Sequence, residues 1–182
     1  MRRGVTIPLW ALLSGSLVLF VTGTWLLGWF LSPILVINWT GSMAEGIYTR
    51  SHDAAARGSL VMFCPSKEAI AREKSLGSAP AAGPCPSGSI MFLKRVAAVA
   101  GDEVILQAKG MVVNGQLVPG SHAIGDPRLR VLQSIKHGRY RVPAGHVWVI
   151  SDSPGGYDSR YYGPVQPKST VVPMLLWKGP DK

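Results

Sequence analysis

The chain has 182 residues, enough for one domain of ordinary size with appendages. Hydrophobic residues make up 47% of it and charged residues 16%, and the formal net charge is +9. A basic surface suits either nucleic acid or anionic lipid. No basic run with interleaved aromatic residues occurs, so the sequence argues against a nucleic-acid partner.

The first predicted element is an apolar helix over residues 9–31, a stretch of 23 residues without a charge. At about 1.5 Å per residue it would be about 34 Å long, enough to cross a hydrocarbon core of about 30 Å. A cleaved secretory signal is the alternative, but such signals usually have a shorter apolar region followed by a small-residue cleavage site. We therefore predict a single transmembrane helix that is retained as an anchor.

The charges before this stretch predict its orientation. Arg2 and Arg3 precede it, and the positive-inside rule then holds the amino terminus in the cytoplasm. The predicted organisation is a cytoplasmic segment at 1–8, a transmembrane anchor at 9–31 and an exported domain at 32–182. In a Gram-negative bacterium this is a single-pass inner-membrane protein with a periplasmic domain and with inner-membrane lipid as a partner.

Two cysteines, Cys64 and Cys85, lie in the predicted exported part. They agree with an oxidising compartment, and a disulfide between them would close a loop of about 22 residues and stabilise the fold by about 3 kcal/mol. Two unpaired thiols are the alternative. The cysteines have no metal-ligand spacing and no phosphate-cradling glycine loop occurs, so the sequence predicts neither a metal nor another cofactor.

The exported part consists mainly of short apolar runs separated by glycine and proline. The Asn-Gly pair at 114–115 lies between two such runs and predicts a tight hairpin, because both turn positions need positive φ. A helix is only weakly indicated, at 68–76. The sequence therefore predicts a mainly β, compact, barrel-like domain. The predicted strands cover 58–63, 89–99, 103–106, 111–113, 116–118, 146–150 and 171–177.

Lys94 stands out because it lies inside an apolar strand, where Ile90, Phe92 and Val96 share its face. Desolvation disfavours the ammonium and lowers the pKa of a lysine, which suits a general base. A lysine on an edge strand with its head in solvent is the alternative. The four histidines are scattered outside any metal or triad motif, so we expect a hydrolase built on this chain to use another base.

Ser42 is the matching candidate for a nucleophile. It follows the predicted anchor closely, where it could meet a substrate that is still embedded in the bilayer. A serine hydroxyl is a weak nucleophile without an adjacent base, and taken alone Ser42 is more typical of a turn. A third segment, 151–164, is a loop dense in hydrogen-bonding groups. Asp158 and Arg160 could form a local ion pair there, and a solvated turn is the alternative.

Taken together and in order, these segments resemble the S26 family of signal peptidases. The nucleophile segment is Ser-Met-Ala-Glu-Gly at 42–46, and the lysine segment is Leu-Lys-Arg-Val-Ala-Ala-Val-Ala-Gly-Asp at 93–102. The last segment runs from 151 to 163 and contains Asp-Ser-Arg-Tyr-Tyr-Gly. A further match is Gly-Ser-Leu-Val at 58–61.

Within that family the chain is most similar to the TraF-type peptidases of conjugative transfer. The similarity lies in Met-x-x-Gly-Ile-Tyr at 43–48, Phe-Cys-Pro at 63–65 and Cys-Pro at 85–86. It implies that the partner is a conjugative pilin or another secreted precursor, which the enzyme matures. In some members that maturation includes joining the ends of the pilin into a ring. The oligomeric state stays open.

The resemblance implies a role for each matching residue. Ser42 would attack the scissile carbonyl, and Lys94 would take the proton from the Ser42 hydroxyl. The backbone N–H of Ser42 and the hydroxyl of Thr40 would form the oxyanion hole. Asp158 and Arg160 would support the site.

One further ion pair is expected near these segments, and two positions depart from the family pattern. Arg95 and Asp152 are expected to pair across strands. The chain departs from the family pattern at Ala44, where the conjugative type tends to have proline. It also departs at Gly156, where the general enzymes have a serine that orients the lysine. Either another hydroxyl, for which Ser159 is a candidate, or packing alone would then orient Lys94.

Two alternatives to a pilin-processing peptidase follow from the same residues. One is a general type I signal peptidase acting on many secreted precursors, although this chain has little room for the second β-domain that those enzymes commonly carry. The other is a non-catalytic, membrane-anchored pilus assembly protein that keeps the fold without the chemistry. Retention of both Ser42 and Lys94 in matching segments argues against it.

Overall fold

A computed structural model describes residues 9–31, 34–75, 77–78, 80–122, 135–153 and 155–179. The chain divides into two compact units, Met1–Leu35 and Val36–Lys182. The predicted cytoplasmic segment at 1–8 lies outside the described residues.

The first unit contains one helix, α1 (Leu9–Leu31). Its side chains are described at 14 and 16–28, and they are exposed. Across the residues that the structure describes, no helix has both the length and the apolar character needed to cross a membrane. The helix is therefore confirmed as secondary structure, whereas the predicted transmembrane span is not supported.

The second unit is mainly β, as predicted. Its helices are α2 (Lys67–Ser75) and α3 (Ser159–Tyr162). Its strands are β1 (Leu35–Asn38), β2 (Glu45–Ser51), β3 (Leu60–Phe63), β4 (Phe92–Val99), β5 (Glu103–Gln107), β6 (Gly110–Val113), β7 (Gln116–Leu117), β8 (Gly138–Arg141), β9 (Val147–Ile150) and β10 (Ser169–Lys178). They form a six-stranded sheet in the order β1-β2-β10-β3-β4-β9 and a four-stranded sheet in the order β7-β6-β5-β8. The predicted barrel-like domain is thus two sheets among the described residues.

The six-stranded sheet is covered on both faces at its centre, where β3 lies. Leu60 and Met62 pack in one apolar cluster, while Val61 and Phe63 pack in another. Because successive side chains of a strand point to opposite faces, a strand covered on both sides is a continuous apolar run, as β3 is. This places the strand next to it, β4, in a dry part of the sheet.

The four-stranded sheet packs against β9, the strand at one edge of the six-stranded sheet. Its side chains Val104, Met111 and Val113 share a cluster with Trp148 and Ile150 of β9. Its central hairpin turns at 114–115, as predicted, with φ of 48° at the asparagine and 83° at the glycine. The cluster braces β9 and therefore the loop that follows it.

Three strands were not predicted, namely β1, β2 and β8. β2 reads Glu-Gly-Ile-Tyr-Thr-Arg-Ser, and its partner β10 shows two register shifts, beside Pro173 and between Leu176 and Lys178. At Gly46 in β2, a Cβ would lie 2.2 Å from the carbonyl oxygen of Leu175, so only glycine lets these two strands approach each other. Strand pairing, which hydropathy does not reveal, makes β2 extended.

Candidate active site

Ser42 lies on the turn that joins β1 to β2, and the side chain of Asn38 fastens this turn. The Asn38 amide nitrogen donates to the carbonyl oxygens of Ala44 at 2.9 Å, of Met43 at 3.3 Å and of Thr40 at 3.3 Å. Asn38 is 6% exposed, so these bonds are shielded from water. No motif in the sequence singles out Asn38. Its bonds constrain the turn after Ser42, where the chain has alanine at 44 and not the proline that the resemblance leads one to expect.

Thr40, the predicted second donor of the oxyanion hole, lines the same cleft as Ser42. Its hydroxyl donates to Asn38 Oδ1 at 2.7 Å, and its backbone N–H donates to the same atom at 3.2 Å. The hydroxyl proton is therefore already committed to Asn38. To stabilise an oxyanion, Thr40 has to rotate and exchange that partner for the substrate oxygen.

Lys94 lies in β4 opposite Val61 of β3, and it is 4% exposed. Its ammonium donates to the hydroxyl of Ser151 at 2.8 Å. Ser151 directly follows β9 and is also 4% exposed. The hydroxyl that holds Lys94 therefore comes from Ser151, and the prediction of Ser159 was wrong, because Ser159 Oγ accepts instead from the backbone N–H of Val149 at 2.9 Å.

The glycine at 156 explains how Ser151 fits. A Cβ at Gly156 would lie 2.1 Å from both the Cβ and the Oγ of Ser151. No side chain larger than hydrogen can occupy 156 while Ser151 keeps this position. The absence of serine at 156 and the presence of serine at 151 therefore belong together.

Asp158 and Arg160 form the predicted ion pair, and it lies inside the protein. Asp158 is 0% exposed and Arg160 6%. The Arg160 Nε and Nη2 atoms donate to the two Asp158 oxygens, each at 2.7 Å. Asp158 also accepts from the backbone N–H of Ser151 at 3.0 Å, and Arg160 Nη2 donates to the carbonyl of Gly156 at 3.2 Å. The ion pair thus fixes Ser151, whose hydroxyl accepts from Lys94, and Gly156, which leaves room for it.

Arg95 and Asp152 also pair as expected. Arg95 Nε and Nη2 donate to the two carboxylate oxygens of Asp152 at 2.7 and 2.6 Å. The backbone N–H groups of Asp152 and Ser153 donate to the carbonyl oxygen of Ser42 at 3.0 and 3.3 Å. The loop after β9 therefore holds Lys94 through Ser151 and holds the turn of Ser42 through its backbone.

Ser42 and Lys94 line one cleft of about 660 Å³. Within the described part of the chain, no hydrogen bond joins Ser42 Oγ to Lys94 Nζ, and the ammonium is directed to Ser151. The structure thus brings the two predicted residues into one cleft without a hydrogen bond between their side chains. Most of the lining is apolar, contributed by β1, β3 and β4 and by the segment 73–84.

The electrostatic setting of Lys94 favours its neutral form. Burial, the largest effect, lowers the pKa of Lys94 from 10.5 to about 8. The carboxylates of Asp158 and Glu73 oppose that shift, whereas the guanidinium of Arg160 reinforces it. A buried lysine with a pKa of about 8 is neutral in part of the population near neutral pH, as a general base must be.

One wall of the cleft is held by a disulfide between Cys64 and Cys85, whose Cα atoms are 5.3 Å apart. The segment between these cysteines contains α2. The Tyr157 hydroxyl donates to the carbonyl of Ala69 in α2 at 2.9 Å, and Tyr157 is the residue before Asp158. The disulfide segment is therefore attached to the same loop that holds Lys94.

Among the described residues, no group of three His, Cys, Asp or Glu side chains could hold a metal ion. The cleft instead offers the hydroxyl of Ser42 as a candidate nucleophile, the amine of Lys94 as a candidate base and backbone N–H groups as donors. This set matches acyl transfer.

The chain matches the sequence profile of the family described as signal peptidase, peptidase S26, over residues 5–175. It is 34% identical over 146 residues to the plasmid transfer protein TraF of Escherichia coli, covering 78% of this chain and 82% of the relative. It is 35% identical over 132 residues to the probable conjugal transfer protein TraF of Sinorhizobium fredii (strain NBRC 101917 / NGR234), covering 71% and 69% of the two chains. A solved signal peptidase I from Enterococcus faecalis V583 is similar with a TM-score of 0.37 and 18% identity, covering 67% of this chain and 100% of that one. That structural likeness is too low to add to the sequence matches.

Proposed function

We propose that this chain, which belongs to the signal peptidase S26 family, cleaves an exported precursor of a conjugative transfer system by means of Ser42 and Lys94. The predicted family is confirmed, and with it a serine peptidase of the S26 type. The roles of individual residues and the identity of the precursor are our proposal. Relatives described as plasmid transfer and conjugal transfer proteins support the choice of precursor.

In the proposed mechanism, Ser42 Oγ attacks the scissile carbonyl while neutral Lys94 takes its proton. The C–N bond breaks, and Lys94 returns the proton to the leaving amine. Water or a second amine then attacks the acyl group on Ser42, and Lys94 again transfers the proton. The backbone N–H of Ser42 and, after rotation away from Asn38, the Thr40 hydroxyl would stabilise the oxyanion.

The observation that carries this proposal is the buried Lys94 in the cleft that Ser42 also lines. Burying an ammonium without a carboxylate bonded to it is unfavourable, so a fold that keeps such a lysine needs a compensating reason. A base with a pKa of about 8 in the same cleft as a serine is such a reason, because it could activate the hydroxyl without histidine.

The proposal places the domain that contains Ser42 and Lys94 on the periplasmic side of the bacterial inner membrane. The Cys64–Cys85 disulfide supports an oxidising compartment. Apolar side chains on the last strand support contact with membrane lipid, since Met174, Leu175 and Trp177 are 62%, 58% and 52% exposed.

The proposed substrate is a conjugative pilin. Its cleavage can end in two ways, hydrolysis or closure of the pilin into a ring. Hydrolysis releases a free carboxylate, whereas attack by the amino end of the same pilin gives an amide. Both share the acyl group on Ser42 and differ only in the acceptor that enters the cleft.

Mass spectrometry of a co-expressed pilin precursor tests this function. The wild type should remove a segment, and Ser42→Ala and Lys94→Ala should leave the precursor intact. Lys109→Ala, at an exposed lysine in the turn between β5 and β6, is the matched control and should process normally. A product lighter by one water than simple cleavage gives indicates ring closure.

The same experiment separates the alternatives. Processing of an unrelated leader peptide at a similar rate would favour a general signal peptidase. If Ser42→Ala and Lys94→Ala process the precursor as well as the wild type, the catalytic assignment is wrong and a non-catalytic assembly role replaces it.

A further inference from the structure

The cleft contains a carboxylate that the proposed mechanism does not use. Glu73, on α2, lines the cleft together with Ser42 and Lys94. Its Oε2 atom is buried and has no hydrogen-bond partner among the described residues. Its other oxygen accepts only a long bond of 3.4 Å from the Ser78 hydroxyl.

This carboxylate is not satisfied by the nearest catalytic cation. Lys94 influences Glu73 through space, but the Lys94 ammonium is bonded to Ser151 rather than to Glu73. None of the ion pairs within 4.0 Å that the described residues form involves Glu73. A buried carboxylate oxygen without a donor is unfavourable, and an incoming donor removes that cost.

Burial is also the largest effect on the carboxyl group of Glu73 and raises its pKa, against the opposing charge of Lys94. A ligand cation is the group that such a site binds best. The helix that carries Glu73 lies in the segment that the Cys64–Cys85 disulfide closes.

We propose that Glu73 is a specificity residue that binds a cationic group of the substrate, an ammonium or a guanidinium, in the cleft of Ser42 and Lys94. The proposal rests on the peptidase function argued above. The cation has two possible sources with the same chemistry. One is a lysine or arginine side chain near the scissile bond, and the other is the free amine that attacks the acyl group on Ser42.

With the amine as the source, the acyl group passes from Ser42 to nitrogen. The ammonium bound at Glu73 gives one proton to solvent and attacks the acyl carbon as a neutral amine. The new C–N bond forms and the bond from the acyl carbon to Ser42 Oγ breaks. The second amine proton passes through Lys94 to Ser42 Oγ, which restores the hydroxyl.

A purely electrostatic role gives a different expectation. If Glu73 only raises the pKa of Lys94, its neutralisation affects every substrate equally and moves the pH profile to lower pH. If Glu73 binds the cation, the effect is confined to substrates or acceptors that carry one.

The test compares the wild type with Glu73→Gln in the full chain, using peptides that span the cleavage site. Each lysine or arginine of the peptide is replaced in turn by norleucine, and the acyl group is captured with glycinamide or with methanol as acceptor. Mass spectrometry gives kcat/KM and the ratio of transfer to hydrolysis. Glu68→Gln, an exposed glutamate on the same helix, is the matched control.

Glu73→Gln should lower kcat/KM for one cationic peptide, or the transfer ratio for glycinamide, by about 10- to 150-fold, which corresponds to one hydrogen bond to a charged group. The norleucine peptide or methanol should be affected less than about threefold. A loss on the peptide arm identifies a side chain as the cation, and a loss on the glycinamide arm identifies the amine. A uniform loss for all substrates, or no loss for any, overturns the proposal.

Failure of the peptidase function would look different. In that case wild type and Ser42→Ala both leave every peptide intact. Glu73→Gln is therefore interpreted only against a wild type that cleaves and a Ser42→Ala variant that does not.

Discussion

The contact between Lys94 and Ser151 gives the sharpest test of the site, because Gly156 allows it to be moved to another position. Ser151→Gly removes the hydroxyl that Lys94 donates to at 2.8 Å. Gly156→Ala keeps Ser151 but adds a Cβ that would lie 2.1 Å from its Oγ, which forces the hydroxyl away. In the double variant Ser151→Gly/Gly156→Ser, the hydroxyl enters from 156 into the space left at 151.

A hydrogen bond to a charged group contributes about 1.5–3 kcal/mol, and about 1.4 kcal/mol corresponds to a factor of ten in rate. Each single variant should therefore lower kcat/KM by about 10- to 150-fold. The double variant should recover most of that loss, because a single hydroxyl again lies beside Lys94 and the steric clash is absent.

The assay is cleavage of a fluorogenic peptide between pH 6 and 10, together with thermal unfolding of each variant. Ser153→Ala, on the same loop, removes a hydroxyl but keeps the backbone N–H that donates to Ser42, so it is the control and should keep wild-type activity. A positioning role also predicts a changed pH midpoint in Ser151→Gly, which a purely structural defect would not produce. The reasoning fails if Ser151→Gly keeps the wild-type rate and pH profile, or if the double variant is no better than the single ones.

Three further predictions follow from Lys94 and the disulfide. Because burial lowers the pKa of Lys94 to about 8, kcat/KM should rise with pH through about 8 and fall tenfold per unit below it, and a flat profile between pH 6.5 and 9.5 would contradict a lysine base. The same shift means that the unfolded chain binds more protons than the folded one between pH 8 and 10.5, so the free energy of unfolding rises with pH in that window. Lys94→Met should accordingly be more stable than the wild type below pH 8, by on the order of 2 kcal/mol after the lost bond to Ser151, and the difference should shrink towards pH 10.5 in denaturant titrations. Cys64→Ala/Cys85→Ala should lower the free energy of unfolding by about 3 kcal/mol and reduce kcat/KM, since it releases the cleft wall; unchanged values in both measurements would show that the disulfide does not hold that wall.

The elements that the sequence predicts well are those whose signal is local. The asparagine and glycine at 114–115 make a hairpin because the turn itself needs their backbone freedom. Lys94 is buried because the residues of its own strand are apolar, and this local pattern is enough to predict that the strand is buried. The Cys64–Cys85 disulfide joins the only two cysteines of the chain, so the choice of partner was never open.

The elements that were missed depend on contacts between distant segments. β2 and β8 contain several polar residues, and each is extended because it pairs with another strand, β10 or β5. Asn38 looks like an ordinary polar residue until the turn after it folds back onto its amide. Ser151 lies 57 positions from Lys94, and no spacing rule links them.

The buried ion pair of Asp158 and Arg160 explains how a lysine can act as a base beside a carboxylate. Asp158 raises the pKa of Lys94, so on its own it would hold Lys94 as an ammonium ion. Arg160 shares both oxygens of that carboxylate and lowers the pKa of Lys94 by its own charge. Asp158 can then accept the backbone N–H of Ser151 and fix the lysine's partner without protonating the lysine permanently. If Lys94 is the base, as we propose, losing Arg160 would leave a buried carboxylate free to hold Lys94 in its charged form, so Arg160 would contribute through charge balance as well as through structure.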